Sequence, residues 1–233
     1  MDVPIPLSLP EEFVLLSQRE TGEVRYEPAT SFGCAAAELG ELLLRGKIRI
    51  WHKERRLFSR AVLIGSGKIE LLDSGSTGLA WAEEVLNGLV RRQAAKPKPV
   101  TVTSWVRHRS SDALNQHRSA LLARGLLAHA PPESRRKPDR YFPHPGAREA
   151  LLAELHAAIA GHRPFDGRTF VLTQLANADG LNSEMRRGLS VWTVLKSKSF
   201  GDVPPSLLRA TSALTSAIPS PSTSGGGDGD GGE

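Results

Sequence analysis

Arg135, Arg136 and Lys137 stand in an unbroken row within the proline-flanked stretch Pro131–Pro138. Upstream, Arg107, His108 and Arg109 form a second basic group, and His117 and Arg118 a third. Side chains of these types hold anions. A guanidinium offers a planar fork of donors to phosphate or carboxylate, and an ammonium offers a compact charge. The chemistry they predict is docking on an acidic surface. The groups that would make or break bonds are poorly arranged for it. Gly65-Ser66-Gly67-Lys68 evokes a phosphate loop, but Val62 stands where its first Gly belongs and Ile69 where its hydroxyl residue belongs. That stretch reads as a turn after a strand. The seven histidines show neither His-Glu-x-x-His nor Cys-pair spacing, so no metal site is predicted. Cys34, the sole cysteine, sits between Gly33 and Ala35 and reads as a small packed residue at a helix start. Glu11 and Glu12 are first-turn carboxylates that favour a helix N-terminus. Trp51, Trp81, Trp105 and Trp192 read as core or interface aromatics, with Trp105 beside Arg107 at a membrane edge. No cofactor is predicted, and the chain reads as non-enzymatic.

The basic groups are positioned by the stretch Ser110–Phe142. It reads as an amphipathic helix starting near Asp112, a stop at Arg124-Gly125, a strand at Leu126-Leu127, the basic loop, and a returning strand at Arg140-Tyr141-Phe142. Gly125 falls where a left-handed residue ends a helix. The same order, Leu-Leu-x-Arg-Gly then strand, occurs at Gly46. Earlier, Ser8-Leu9-Pro10-Glu11 has the form of a capping box before Phe13-Val14-Leu15-Leu16. Thr30 or Ser31 is placed to cap a second helix running to Leu44. Ile48–Trp51 alternates as a strand, His52–Arg56 turns, and Leu57–Ile64 returns. Further helices are predicted at Leu79–Arg92, Ala147–Ala160, Arg168–Ala178 (capped by Asp166), Asn182–Ser197 and Pro205–Ala217. Val100-Thr101-Val102 reads as extended, after the basic connector Ala94–Pro99.

Composition bounds the rest. The chain has 233 residues, 39% hydrophobic and 24% charged, which are proportions of a globular protein. Its net charge is +5. Asp228, Asp230 and Glu233 lie in the last fifteen residues, so the remainder carries +8. Such an excess favours anionic membranes or other polyanions. One cysteine excludes an internal disulfide and fits a reducing compartment. No apolar run approaches the roughly 20 residues needed to span a bilayer, and no signal-peptide pattern opens the chain. Residues 1–7 read as a flexible leader, 8–218 as one folded domain, and 219–233 as a disordered Gly/Ser/Asp-rich tail.

The order of these motifs resembles the Golgi phosphoprotein 3 family, in particular its bacterial members. The resemblance is carried by Leu9–Leu16, Glu41–Ile48, Ser76-Thr77-Gly78, Leu121–Leu127, Arg140–Pro143 and Asp166–Thr169, and covers residues 8 to about 217. It implies a mostly α single domain, in which a central helical bundle is surrounded by amphipathic helices, with two β-hairpins, one protruding. It implies a peripheral adaptor that binds phosphatidylinositol 4-phosphate and retains glycosyltransferases, so membrane-protein tails would be further partners. In eukaryotic relatives a Trp and three Arg hold the lipid phosphate. Aligned here, the Trp falls at Tyr26, and the three arginines fall at Ala35, Ser111 and Leu114. Three of the four ligands are replaced, which leaves the headgroup open. The resemblance also places Arg135, Arg136 and Lys137 at the membrane-facing hairpin tip, where family members carry apolar residues.

The expectation is thus a cytoplasmic, peripherally membrane-associated protein without a specific nucleic-acid partner. It binds anionic phospholipid through Tyr26, Arg107, Arg109 and Arg118, with the hairpin cations facing the membrane. The alternative is a winged-helix DNA-binding protein, with Asn115, Gln116 and Arg118 in a groove and Arg135–Lys137 as the wing. Oligomeric state and protein partners are open.

Overall fold

The computed structural model describes residues 6–57, 60–95, 98–132, 134, 138–181 and 203–220, with side chains of 53–65 set aside. Among the described residues, seven helices surround one core, and the only sheets are two antiparallel hairpins. Arg135, Arg136, Lys137, the helix expected at Asn182–Ser197, and most of the predicted leader and tail lie outside the described residues.

The core forms around α1 (Leu9–Ser17) and α2 (Glu27–Leu44). Ser8 starts α1 as its capping pattern predicts: the Glu11 carboxylate accepts from the Ser8 N–H at 2.7 Å and from its hydroxyl at 2.7 Å. Every residue of α1 except Glu12 is buried. A helix apolar on all sides belongs in the middle of a protein. The second helix begins a turn before Thr30, with Tyr26 at its N-cap and Pro28 in its first turn, where proline's missing N–H costs nothing. Its Ala35, Ala36 and Ala37 are fully buried, and small residues let neighbouring helices approach. Gly33 shows how closely. A Cβ built there would overlap the Phe13 ring of α1. Gly33→Ala is therefore expected to lower stability by about 1–3 kcal/mol through overpacking. An unchanged denaturant midpoint for this variant would show that the α1–α2 contact is looser than described. Cys34, also fully buried, has its thiol pushed well above its usual range by burial, which leaves it inert.

Both Leu-Leu-x-Arg-Gly segments end helices as expected. Gly46 and Gly125 have φ of +68° and +67°. The N–H groups of Lys47 and Leu126 reach back to the carbonyls of Leu42 and Leu121 at 2.9 Å, which satisfies carbonyls the helix would otherwise leave open.

The first hairpin differs from the sequence reading. β1 (Ile48–Leu57) and β2 (Arg60–Leu71) are long, with Ile48 opposite Leu71, Trp51 opposite Lys68 and a bulge between Trp51 and Lys53. Residues 52–56 therefore continue β1 rather than turning. Gly65-Ser66-Gly67 lies inside β2, where a Cβ at Gly67 would meet Ile50 and Ala213 at 2.8 Å. The glycine there permits close approach, not a loop. β3 (Leu127–Ala130) and β4 (Arg140–Pro143) make the second hairpin with Leu127 opposite Pro143, as expected, and it is the shorter of the two.

α3 (Ala80–Ala95), α5 (Pro145–Ile159), α6 (Gly167–Ala178) and α7 (Pro205–Ser216) fall where they were predicted, and Asp166 caps α6 by accepting from the Thr169 N–H at 2.8 Å. α4 does not begin near Asp112. It runs unbroken from Val102 to Ala123, capped by the Thr101 hydroxyl, which accepts from the Ser104 N–H at 3.2 Å. Val102 is thus helical rather than extended, and Trp105 and Val106 belong to this helix.

Candidate functional site

The cations of α4 divide by face. At 3.6 residues per turn, Arg107 and Arg118 share one stripe, about 16 Å apart along the axis, and Arg109 is turned about 200° away. Ser111 and Leu114 lie on the stripe between the first two. The four predicted headgroup residues are consequently not one cluster.

Arg109 faces inward and is 7% exposed. Its Nε is 3.1 Å from a carboxylate oxygen of Glu38, a residue of α2 with no exposure at all, and its Nη2 is 3.3 Å from the other oxygen. Nη1 donates to Glu84 of α3 at 2.7 Å, and the Gln116 carbonyl closes the set. His117 Nε2 also meets Glu38, at 3.2 Å, while Trp81 packs edge-on against the His117 ring at 5.1 Å. Burial alone would lower the Arg109 pKa, but Glu38 and Glu84 raise it beyond its ordinary value. This guanidinium holds α2, α3 and α4 together, with four hydrogen bonds already made inside the fold. Glu38 and Glu84 were not singled out from sequence, Gln116 and His117 were read only as groove and basic-group residues, and nothing in the spacing of the four marks them as one network.

Arg118 is also 7% exposed. Its guanidinium lies 4.3 Å above the Tyr141 ring of β4 and 3.2 Å from Glu27 of α2. Tyr26, half-buried at the N-cap of α2, adjoins Glu27, so the structure does bring these two predicted residues to one corner. That corner is held by the Tyr141 N–H, which donates to the Gly22 carbonyl at 2.8 Å. It opens into a cleft of about 520 Å³ lined by Arg118, Tyr141, Asn115, Glu23, Glu27 and Asp139. Three carboxylates against one engaged arginine make a poor seat for a phosphate. Of the three residues a DNA-reading helix would present, two are engaged, since Gln116 bonds Arg109 and Glu84 and Arg118 bonds Glu27, while Asn115 is exposed.

Arg107 is different. It is exposed, and with Lys98 it takes part in no ion pair among the described residues. A signal missed in the sequence explains its surroundings. From Val85 to Ser111 there is no Asp or Glu, and six Lys or Arg occur. This stretch is the second half of α3, the connector and the first half of α4. Arg92 lies 5.9 Å over the Trp105 ring, and His108 packs edge-on against the same ring at 6.3 Å. Arg91, Lys98, Arg107 and His108 are exposed, with Arg107 about 200° around α4 from Trp105. The connector is fixed to the sheet by the Ile69 N–H, which donates to the Val100 carbonyl at 2.8 Å.

The model of the Golgi phosphoprotein 3 (GPP34) family matches residues 9–203. The chain belongs to the Golgi phosphoprotein 3 family. A search of curated proteins gives no match. That family is one of non-enzymatic adaptors, and in this member no helix among the described residues is long and apolar enough to cross a membrane. The resemblance places the family's phosphate-holding arginines at Ala35, Ser111 and Leu114. Ala35 is fully buried, Leu114 is buried, and Ser111 faces solvent without charge.

Proposed function

We propose that this protein is a non-catalytic, cytoplasmic adaptor that docks reversibly on anionic membranes through the α3–α4 face. The observation that supports this reading is the acid-free stretch from Val85 to Ser111, in which Arg91, Lys98 and Arg107 are exposed. Arg107 stays in the docking set. Arg109 and Arg118 leave it, because carboxylates already hold them, and Tyr26 is left as a packing residue beside the acidic cleft. With one arginine of the family's phosphate set lost to Ala35 and two lost to Ser111 and Leu114, attraction rests on summed charge. Headgroup selectivity, including preference for phosphatidylinositol 4-phosphate, is expected to be weak.

A basic residue near an acidic bilayer contributes about 1 kcal/mol. Arg91→Ala, Lys98→Ala and Arg107→Ala together should therefore weaken binding by about 3 kcal/mol, which is roughly 100-fold in Kd. Flotation with phosphatidylglycerol vesicles at low salt measures this. Wild-type binding that survives high salt undiminished, or a triple variant that floats as well as wild type, would remove the reading.

A further inference from the structure

The three large apolar side chains that are exposed among the described residues are Trp51 (37%), Leu72 (53%) and Val90 (40%). Trp51 lies in the wall of a groove. It has a volume of about 460 Å³, and Trp51, Ile69, Leu71, Lys98 and Pro99 line it. Leu72 follows Leu71 directly. Val90 stands one turn before Gln93, whose side-chain amide fixes α3 to β2 by donating to the Ile69 carbonyl at 3.2 Å. The alternation of β1 sets the exposure. Ile48 and Ile50 turn into the core, so Arg49 and Trp51 must turn outward.

We propose that the rim of this groove, led by Trp51, enters the boundary between headgroups and acyl chains when the protein docks. The inference rests on the docking reading above and adds which surface goes into the membrane. Two observations choose a lipid occupant. First, the groove opens into the acid-free stretch: Lys98 belongs to both, and Arg91 and Arg92 neighbour Val90 on α3. Second, the Lys68 ammonium sits 4.7 Å over the Trp51 ring. An indole with an ammonium beside it is suited to the interface, where the ring lies among glycerol and upper acyl groups and the charge stays at phosphate level. Glu70, the groove's carboxylate, is neutralised by Arg49 at 2.7 Å, so it does not oppose an acidic surface.

The test uses the full chain with phosphatidylglycerol vesicles whose acyl chains are brominated near the carbonyl. Bromine quenches only indoles that reach it. Wild type should be quenched on binding, and the Trp51→Phe variant should lose most of that quenching while still floating at low salt. A Leu72→Ser, Val90→Ser variant should bind about tenfold more weakly at high salt. If both proteins float and Trp51→Phe leaves the quenching unchanged, the insertion proposal is overturned while docking stands. If neither floats with acidic vesicles, docking itself fails and this inference falls with it. Self-association in sedimentation that Trp51→Phe abolishes would assign the groove to a second copy and overturn the lipid assignment.

Discussion

Arg109→Ala is expected to destabilise the protein by about 3–5 kcal/mol, the cost typical of removing one partner of a buried ion pair. The carboxylate of Glu38 would then sit with no exposure and only His117 beside it. The loss comes less from the missing attraction than from leaving a charge in a medium that solvates it poorly. Arg107→Ala, two residues away on the outer face, should change stability by no more than about 0.5 kcal/mol. Vesicle binding should show the reverse order, with Arg107 mattering and Arg109 not, provided the comparison is made where both variants are folded. Glu38→Leu combined with Arg109→Met should recover most of the stability, since a buried ion pair replaced by apolar groups of similar volume is often close to neutral. Equal thermal midpoints for Arg107→Ala and Arg109→Ala would mean that Glu38 reaches water, contrary to its packing.

The same residue shows why α4 was only half legible. Its buried positions run Val102, Trp105, Val106, Arg109, Ser110, Ala113, Leu114, His117, Arg118 and Leu121. That is the helical spacing of an inward face, but polar side chains fill four of its places. Reading apolar residues alone, the pattern fades before Ala113, and the helix seems to start there. Buried ion pairs hide periodicity because they satisfy the core through partners distant in sequence: Glu38 is 71 residues from Arg109. Local chemistry was readable where one segment suffices, as in the Ser8 capping box, the left-handed Gly46 and Gly125, and the Asp166 cap. The length of β1 and β2 was not. Gly65 and Gly67 look like turn residues until Ile50 and Ala213 are seen against Gly67. The candidate site failed in the same manner. Counting cations picks out α4, but which of them face solvent depends on carboxylates supplied by α2 and α3. The absence of acid between Val85 and Ser111 is also legible in the sequence, but it too leaves out distant partners, since Arg109 lies within that stretch and is held by Glu38 and Glu84.

Stability should fall as pH rises from about 4 to 8, because one buried and one partly buried carboxyl hold protons that the unfolded chain gives up. Asp179, just beyond α6, is pushed from 3.8 to about 7, chiefly by burial, against hydrogen bonds from Ser17 and Thr30 and the charge of Arg25. Glu12 rises from 4.5 to about 7, again through burial, with Arg168 opposing. Arg168 is shared: its Nη1 donates to Glu41 at 2.7 Å and its Nη2 lies 3.0 Å from Glu12. Burial would raise Glu41 as well, but it also accepts from the Leu9 N–H and from Arg45, and is held below its ordinary value. Glu41 therefore keeps the charge and Glu12 the proton. For a group whose folded pKa is raised, the native state binds more protons across the window between the two values, so unfolding becomes easier with each pH unit through it. For Asp179 the window is about 3 units, worth about 4 kcal/mol in full at 1.36 kcal/mol per unit. Asp179→Asn removes the titration while keeping an oxygen for the Thr30 hydroxyl, which donates to Asp179 at 3.0 Å. The variant should be more stable than wild type by about 2–4 kcal/mol at pH 8.5, and within about 1 kcal/mol of it at pH 4. Thermal denaturation of the pair across pH 4–8.5 measures the difference. A wild-type curve parallel to that of Asp179→Asn would mean that Asp179 is ionised in the folded protein, and burial would then not govern this corner of the fold.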